Sequence, residues 1–183
     1  MVGMFAVWAL LFQILLIKTL RLDVALILGM IMGGAVLTKS SGFFTLYLLP
    51  FSLLLFPFTD KEKIKKFLSW LGLALIAVII SQLIYSVLRL SPFFHMIARK
   101  NTVFIYPFNE WLNHPWRFFR GNLRGLCDWF VNYTSWPVIG LIGSSFFIYR
   151  NYLKEKLLLL IWFLLPFVAL ALFGKVLYPR FIF

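Results

Sequence analysis

The sequence predicts an all-α fold, a polytopic bundle of about six membrane-spanning helices with one amphipathic helix at the outer interface. Hydrophobic residues make up 62% of the 183 residues and charged residues only 13%, whereas soluble domains carry about 25% charged residues. Aromatic residues reach 20%, and many lie near the ends of apolar segments, as interfacial belts require. The chain 1–183 is therefore predicted to be a single transmembrane domain without a soluble domain.

The direction of each span follows from the charge of its connections. The Lys-rich connections at 60–66 and 150–156 are typical of cytoplasmic loops under the positive-inside rule. Counting spans outward from these loops places Lys39, the segment 90–135 and the chain after 173 on the outer side. The predicted spans lie near 3–17, 23–38, 42–57, 67–88, 136–149 and 157–173.

The second span is short and contains a pair of glycines. Gly29 and Gly33 have small-xxx-small spacing, which favours close helix packing over a role in a site. The span 23–38 covers roughly 24 Å, less than a hydrocarbon core of roughly 30 Å. Gly42 permits a tight reversal just beyond it. Lys39 is therefore expected at the outer end of a short hairpin.

The external segment 90–135 is rich in aromatic residues and poor in the Ser/Gly runs of flexible linkers, so it is predicted to be ordered. Pro115 suits the first turn of a helix. A helix over 115–131 would carry a cationic and an apolar stripe and would lie along the membrane surface. The cationic stripe is Arg117, Arg120 and Arg124, and the apolar stripe is Trp116, Phe119, Leu123, Leu126 and Phe130.

Cations on the outer side indicate a ligand. The chain has 18 Lys and Arg against 6 Asp and Glu, a net charge of +12, and outer loops normally hold few basic residues. Because the charges flank apolar spans, anionic lipid is favoured as the partner and nucleic acid is not. Arg can bind phosphate with two hydrogen bonds and Lys as a point charge. The alternative is that each cation snorkels to headgroups. The predicted lipid-phosphate-binding residues are Lys39, Arg99, Lys100, Arg117, Arg120, Arg124, Lys175 and Arg180. Lys39 and Arg180 are expected to face one outer cavity together with at least one cation from 99–124.

Candidates for acid–base chemistry are few. Glu110 is a weak candidate for the catalytic residue, with an ordinary exposed loop acid as the simpler interpretation. Asp128 follows Arg124 by four residues and is explained as its partner. His95 and His114 lack metal-ligand spacing, and no metal site is predicted. No P-loop, nucleophile elbow or zinc-protease motif is present in the sequence.

Two segments resemble a known superfamily. Residues 33–42, Gly-Gly-Ala-Val-Leu-Thr-Lys-Ser-Ser-Gly, resemble the "GLALLTK" segment of multi-pass GT-C glycosyltransferases that use lipid-linked sugars. These include dolichyl-phosphate-mannose protein mannosyltransferases and bacterial aminoarabinose transferases. Residues 175–181, Lys-Val-Leu-Tyr-Pro-Arg-Phe, are similar to their late "K…RY…P" segment, although Pro precedes Arg here. The layout resembles theirs along the whole chain, but only 37–42 is moderately specific by residue.

The resemblance implies a GT-C fold, an extracytoplasmic active site and a polyprenyl-phosphate sugar as donor substrate, with no further cofactor. It also implies an acidic catalytic residue in a first large external loop, expected upstream of Met1. The chain is accordingly expected to be part of a hexosyl or pentosyl transferase of the bacterial cell envelope, in the cytoplasmic membrane. The alternatives are a lipid-linked glycan flippase or transporter and a non-catalytic membrane subunit. A transporter should carry ionisable groups in mid-membrane and inverted repeats.

Overall fold

The computed structural model describes the backbone of residues 2–58, 62–114, 116–148 and 152–175, with their side chains except at 2, 98, 100–102 and 147. These residues are helical and contain no strand, which confirms the predicted all-α class. One isolated antiparallel bridge joins Ile105 and Gly174. The chain divides into two compact units, Met1–Pro92 (unit 1) and Phe93–Phe183 (unit 2).

Unit 1 consists of helices that match the first four apolar segments. Its described elements are α1 (Val2–Thr19), α2 (Leu22–Thr38), a 3-10 helix (Ser40–Phe43), α3 (Phe44–Tyr47), a second 3-10 helix (Leu49–Leu55), α4 (Lys63–Ser86) and a third 3-10 helix (Val87–Leu90). Arg21 and Asp23 form an ion pair of 2.6 Å at the turn between α1 and α2.

Glycines bring α2 and α4 into close contact. A Cβ on Gly29 would lie 2.8 Å from the carbonyl oxygen of Ala77, and one on Gly33 would lie 2.8 Å from Cβ of Ile84. The packing role predicted for this glycine pair is therefore confirmed. The glycine contacts advance along both helices in the same order, Gly29 against Ala77 and Gly33 against Ile84, so α2 and α4 run parallel.

The third apolar segment is not one helix. It is divided into a 3-10 helix, the four residues of α3 and a second 3-10 helix that contains Pro50 near its start. Pro50 has no N–H to continue an α-helical ladder. A 3-10 helix rises about 2.0 Å per residue, so the two 3-10 helices advance farther per residue than an α-helix, which rises about 1.5 Å.

Gly42 is required for a different reason from the one predicted. In the described residues no glycine has a positive φ, so the reversal uses no left-handed turn. A Cβ on Gly42 would instead lie 2.3 Å from both the carbonyl carbon and the oxygen of Ala35. The chain after α2 therefore folds directly onto the α2 backbone, which only glycine permits at this position.

A polar group lies in the interior of unit 1. Gln13 of α1 is completely buried, and its Nε2 donates a 2.8 Å hydrogen bond to the carbonyl of Thr45. That carbonyl lies in the last turn of α3, where helical carbonyls lack a following amide. The Oγ1 of Thr45 in turn donates to the carbonyl of Gly42 at 2.7 Å. The amide of Gln13 thus provides a donor for a carbonyl at the end of α3, since a carbonyl in apolar surroundings needs a hydrogen-bond partner.

Two helices of the described residues are long and apolar enough to cross a membrane. They are Lys63–Leu90, with 28 residues, and Leu153–Phe173, with 21 residues. Only 17% and 11% of their apolar windows are buried, unlike the core helix of a soluble protein. The other apolar helices have 10–17 residues. Membrane association is therefore supported by these two helices, and the predicted bundle of about six spans is not established.

Unit 2 contains the external segment and the last two apolar helices. Its described elements are α5 (Phe94–Phe104), α6 (Phe108–Asn113), α7 (Phe119–Thr134), α8 (Trp136–Ile148) and α9 (Leu153–Phe173). Lys156 of α9 donates to the carbonyl of Ser145 in α8.

Helix α7 differs from the predicted surface helix in its start and in its direction. It begins at Phe119, so Trp116 and Arg117 lie in the preceding turn, and Pro115 lies outside the described residues. Its apolar stripe is not left for lipid, because Leu126 is fully buried and Phe130 contacts Phe163 and Phe167 of α9 at ring distances of 5.0 and 6.5 Å. Helix α7 follows α9 lengthwise instead of lying across its end.

Candidate functional site

The predicted cations are distributed over both units. In unit 1, Lys39 is half-buried at the end of α2. In unit 2, Arg117 and Lys175 converge on one aromatic pair. The remaining cations are exposed on helices or lie outside the description: Arg99 on α5, Arg120 and Arg124 on α7, the side chain of Lys100, and Arg180. The shared opening predicted for Lys39 and Arg180 stays a prediction.

Lys39 is held by its backbone at the break between α2 and the following 3-10 helix. Its conformation is extended, with φ −162° and ψ 144°. Its N–H donates to the carbonyl of Ala35 at 3.2 Å, and its own carbonyl accepts from the N–H of Gly42 at 2.8 Å. A cation is electrostatically favourable at this position, because the C-terminal end of a helix carries partial negative charge.

The C-terminal end of α9 is fixed by a short two-stranded contact. The N–H of Tyr106 donates to the carbonyl of Phe173 at 2.8 Å, and the N–H of Lys175 donates to the carbonyl of Phe104 at 2.9 Å. The Nδ2 of Asn122, from α7, donates to the carbonyls of Ala171 at 3.1 Å and Gly174 at 2.7 Å. Three separate parts of unit 2 therefore meet directly before Lys175.

Two aromatic rings connect the cations at this end. Tyr106 and Phe118 lie with their ring centroids 4.8 Å apart. The Nζ of Lys175 lies 5.9 Å from the centroid of Tyr106, and the Cζ of Arg117 lies 5.2 Å from that of Phe118. Cation–π attraction restrains both charged groups while leaving them exposed. We refer to Arg117, Phe118, Tyr106 and Lys175 as the cation–aromatic cluster.

An open depression adjoins the cluster. It has a volume of about 620 Å³ and is lined by Asn113, His114, Trp116 and Arg117. The indole of Trp116 is 67% exposed and is held edge-on by Phe119 at 5.2 Å. No carboxylate is among the described lining residues, so the depression suits a neutral or anionic ligand.

The position of Lys175 alone does not indicate a ligand, because the helix end already favours a cation there. Arg117 has no such explanation, since it belongs to the turn before α7 and comes to the same aromatic pair from another element. Two exposed cations of independent origin, each against one ring of the same aromatic pair, provide charged donors suited to an anion such as phosphate.

The acidic residues in the described part of unit 2 are exposed. Glu110 is exposed in the first turn of α6, and its carboxylate has neither a hydrogen bond nor an ion pair there. The predicted pair of Asp128 with Arg124 is wrong, because these described side chains form no ion pair, and both are exposed. The described residues also contain no cluster of His, Cys, Asp and Glu that could hold a metal ion.

Two structurally important amides were not predicted from the sequence. Asn122 lies among Phe119, Leu123 and Leu126, on the apolar stripe of α7, where a polar residue requires a buried partner. Gln13 interrupts the first apolar span in the same way. A lone amide on an apolar helix face was therefore the signal that could have identified both.

Comparisons of the chain with known protein families, with curated proteins and with solved structures give no significant match.

Proposed function

We propose that this protein binds the lipid phosphate of a polyprenyl-phosphate sugar and forms the donor side of a membrane glycosyltransferase. The observation that carries the proposal is the convergence of Arg117 and Lys175 on one aromatic pair at the end of α9, a helix long enough to span a membrane. A lipid carried in the bilayer would present its phosphate at such a helix end. The segments around Lys39 and Lys175 that resemble GT-C enzymes support the same function.

The chemistry of sugar transfer fits a cationic donor site. The acceptor nucleophile attacks the anomeric carbon, the bond from that carbon to the phosphate oxygen breaks, and its electron pair leaves with polyprenyl phosphate. Arg117 and Lys175 would stabilise the negative charge that develops on the leaving phosphate. The acceptor proton must go to a base, and Glu110 is a weak candidate for this role.

Binding of polyprenyl phosphate to the protein in lipid nanodiscs tests the donor site. We expect tight binding of polyprenyl phosphate and weak binding of the uncharged polyprenol. Arg117→Ala and Lys175→Ala should each weaken phosphate-lipid binding by about tenfold, the effect of losing one charge-assisted hydrogen bond. Lys154→Ala provides the matched control, because Lys154 is an exposed lysine at the other end of α9. Equal affinity for the two lipids would refute the proposed site.

A single introduced cysteine tests on which side of the membrane the site lies. Cys127, the only cysteine of the chain, lies on α7 beside α9, so it is first removed by Cys127→Ser. Asn109→Cys is then introduced at an exposed position of α6. In intact cells we expect a membrane-impermeant maleimide to label this cysteine from outside. Labelling that occurs only after the membrane is permeabilised would place α6 in the cytoplasm and would contradict the extracytoplasmic site.

Reconstitution separates this function from its alternatives. In proteoliposomes, a transferase consumes the lipid-linked sugar and releases polyprenyl phosphate when an acceptor is present. A flippase would instead move the intact lipid-linked sugar between leaflets. A non-catalytic subunit would do neither without a second protein. Movement of the lipid without any cleavage would favour the flippase and reject the transferase.

A further inference from the structure

The backbone continues in an extended conformation directly after the last residue of α9. Helices often end in a left-handed glycine, whose following amides bond to the last carbonyls. Gly174 does not act in this way, because its backbone is extended, with φ −71° and ψ 120°. The chain instead continues straight into the contact with Phe104 and Tyr106. This extended exit is what brings Lys175 over the ring of Tyr106.

An extended backbone after a helix leaves the last helix carbonyls without the usual amide partners. Asn122 supplies a donor for one of them, because its Nδ2 donates to the carbonyl of Ala171. The second hydrogen of the same Nδ2 can serve the carbonyl of Gly174, the residue directly after the helix. The backbone N–H of Asn122 also donates to the carbonyl of Phe118 at 2.9 Å. One residue therefore links the Arg117–Phe118 side of the cation–aromatic cluster to the helix end from which Lys175 emerges.

From this geometry we propose that Asn122 is a positioning residue for phosphate recognition: it stabilises the extended backbone after α9 and so holds Lys175 over the ring of Tyr106. The inference rests on the proposed function, since it assigns Asn122 a role in the same site. Asn122 does not contact the phosphate itself. An apolar residue would suit the surrounding stripe of α7 but would leave two carbonyls without their side-chain donor.

A double-mutant cycle tests the role of Asn122, with polyprenyl phosphate in nanodiscs as the probe. Asn122→Leu should weaken binding about tenfold, because Lys175 is no longer held in place. In the Lys175→Ala background the same substitution should have almost no further effect, since a residue that acts through Lys175 has nothing left to position. Asn132→Leu is the matched control, an exposed asparagine on the same helix.

Each outcome distinguishes the inference from the proposed function. If Lys175→Ala and Arg117→Ala leave binding unchanged, the proposed function fails. If those variants weaken binding and Asn122→Leu does not, only the role of Asn122 is rejected. Additive effects of Asn122→Leu and Lys175→Ala also reject it, because they indicate a general loss of structure. Affinity for the uncharged polyprenol, expected to stay near wild type, and a thermal transition of Asn122→Leu that remains single and cooperative provide the check on folding.

Discussion

The two units place a lysine at a helix end by similar means but in different surroundings. In unit 1, Lys39 follows α2, and the buried amide of Gln13 bonds to a carbonyl in the chain that folds back. In unit 2, Lys175 follows α9, and the amide of Asn122 bonds to carbonyls of the helix end. Gln13 is completely buried, whereas Asn122 is only half-buried.

The difference indicates how each lysine can act. The chain after Lys39 packs directly on the α2 backbone at Gly42, so close packing sets its geometry. The backbone at Lys175 is held by a hydrogen bond to Phe104, and its charged group contacts the ring of Tyr106 and stays exposed. We therefore expect changes around Lys39 to act on the stability of unit 1, and changes around Lys175 to act on ligand affinity.

The largest expected effect comes from a single methyl group in the Lys39 turn. Gly42→Ala would place a Cβ 2.3 Å from the Ala35 carbonyl, and backbone atoms cannot move aside easily. We expect the free energy of unfolding to fall by about 3 kcal/mol or more, measured by denaturant titration in micelles. Gly72→Ala is the matched control in α4, with nothing within 4 Å of the new Cβ. It should be neutral or stabilising by up to about 1 kcal/mol. Equal effects of the two changes would show that the turn is not close-packed.

A smaller loss is expected from removing the buried amide. Gln13→Leu leaves the carbonyl of Thr45 without its side-chain donor, and an unpaired buried carbonyl costs about 1–3 kcal/mol. The Oε1 of Gln13 has no partner among the described groups, so its removal offsets part of this cost. We expect a net destabilisation of about 1–2 kcal/mol by the same titration. Gln82→Leu, at an exposed position of α4, should change stability by less than about 0.5 kcal/mol.

Unit 1 was the more predictable of the two from sequence. Its helix positions follow from apolar runs, and the packing of Gly29 and Gly33 follows from their spacing. The reason for Gly42 was not accessible in this way, because it depends on how closely the returning chain approaches Ala35. The division of the third span into short helices was equally hidden, since an apolar run gives no sign of its helix type.

Unit 2 was less predictable because its site is made by long-range contacts. The periodicity of α7 identified an amphipathic helix but could not say whether protein or lipid covers the apolar face. Packing against α9 decided this through Leu126 and Phe130. The convergence of Arg117 and Lys175 depends on a backbone contact between segments nearly 70 residues apart, at Ile105 and Gly174, which no local pattern encodes.

Within the cation–aromatic cluster, the ring of Tyr106 is expected to contribute modestly to affinity. Tyr106→Leu removes the face beneath Lys175 and the contact with Phe118. Because an exposed cation–π contact contributes about 0.5–1 kcal/mol, phosphate-lipid affinity should fall by about two- to fivefold. Tyr106→Phe keeps the ring and should bind as the wild type does. If both variants lose affinity equally, the hydroxyl and not the ring is responsible.

A stabilising change is expected at a junction between helices, and each unit offers one such junction. Leu20, between α1 and α2, and Ser135, between α7 and α8, are the non-glycine residues with positive φ in the described chain, at 49° and 66°. The ψ of 148° puts Ser135 near a region that essentially only glycine adopts. Ser135→Gly should therefore stabilise unit 2 by about 1 kcal/mol, since relief of this strain exceeds the added freedom of the unfolded chain. Leu20→Gly should stabilise unit 1 by less than this, because the half-buried side chain of Leu20 is lost at the same time. A destabilised Ser135→Gly protein in the same denaturant titration would mean that the Ser135 side chain, and not backbone relief, dominates at this junction.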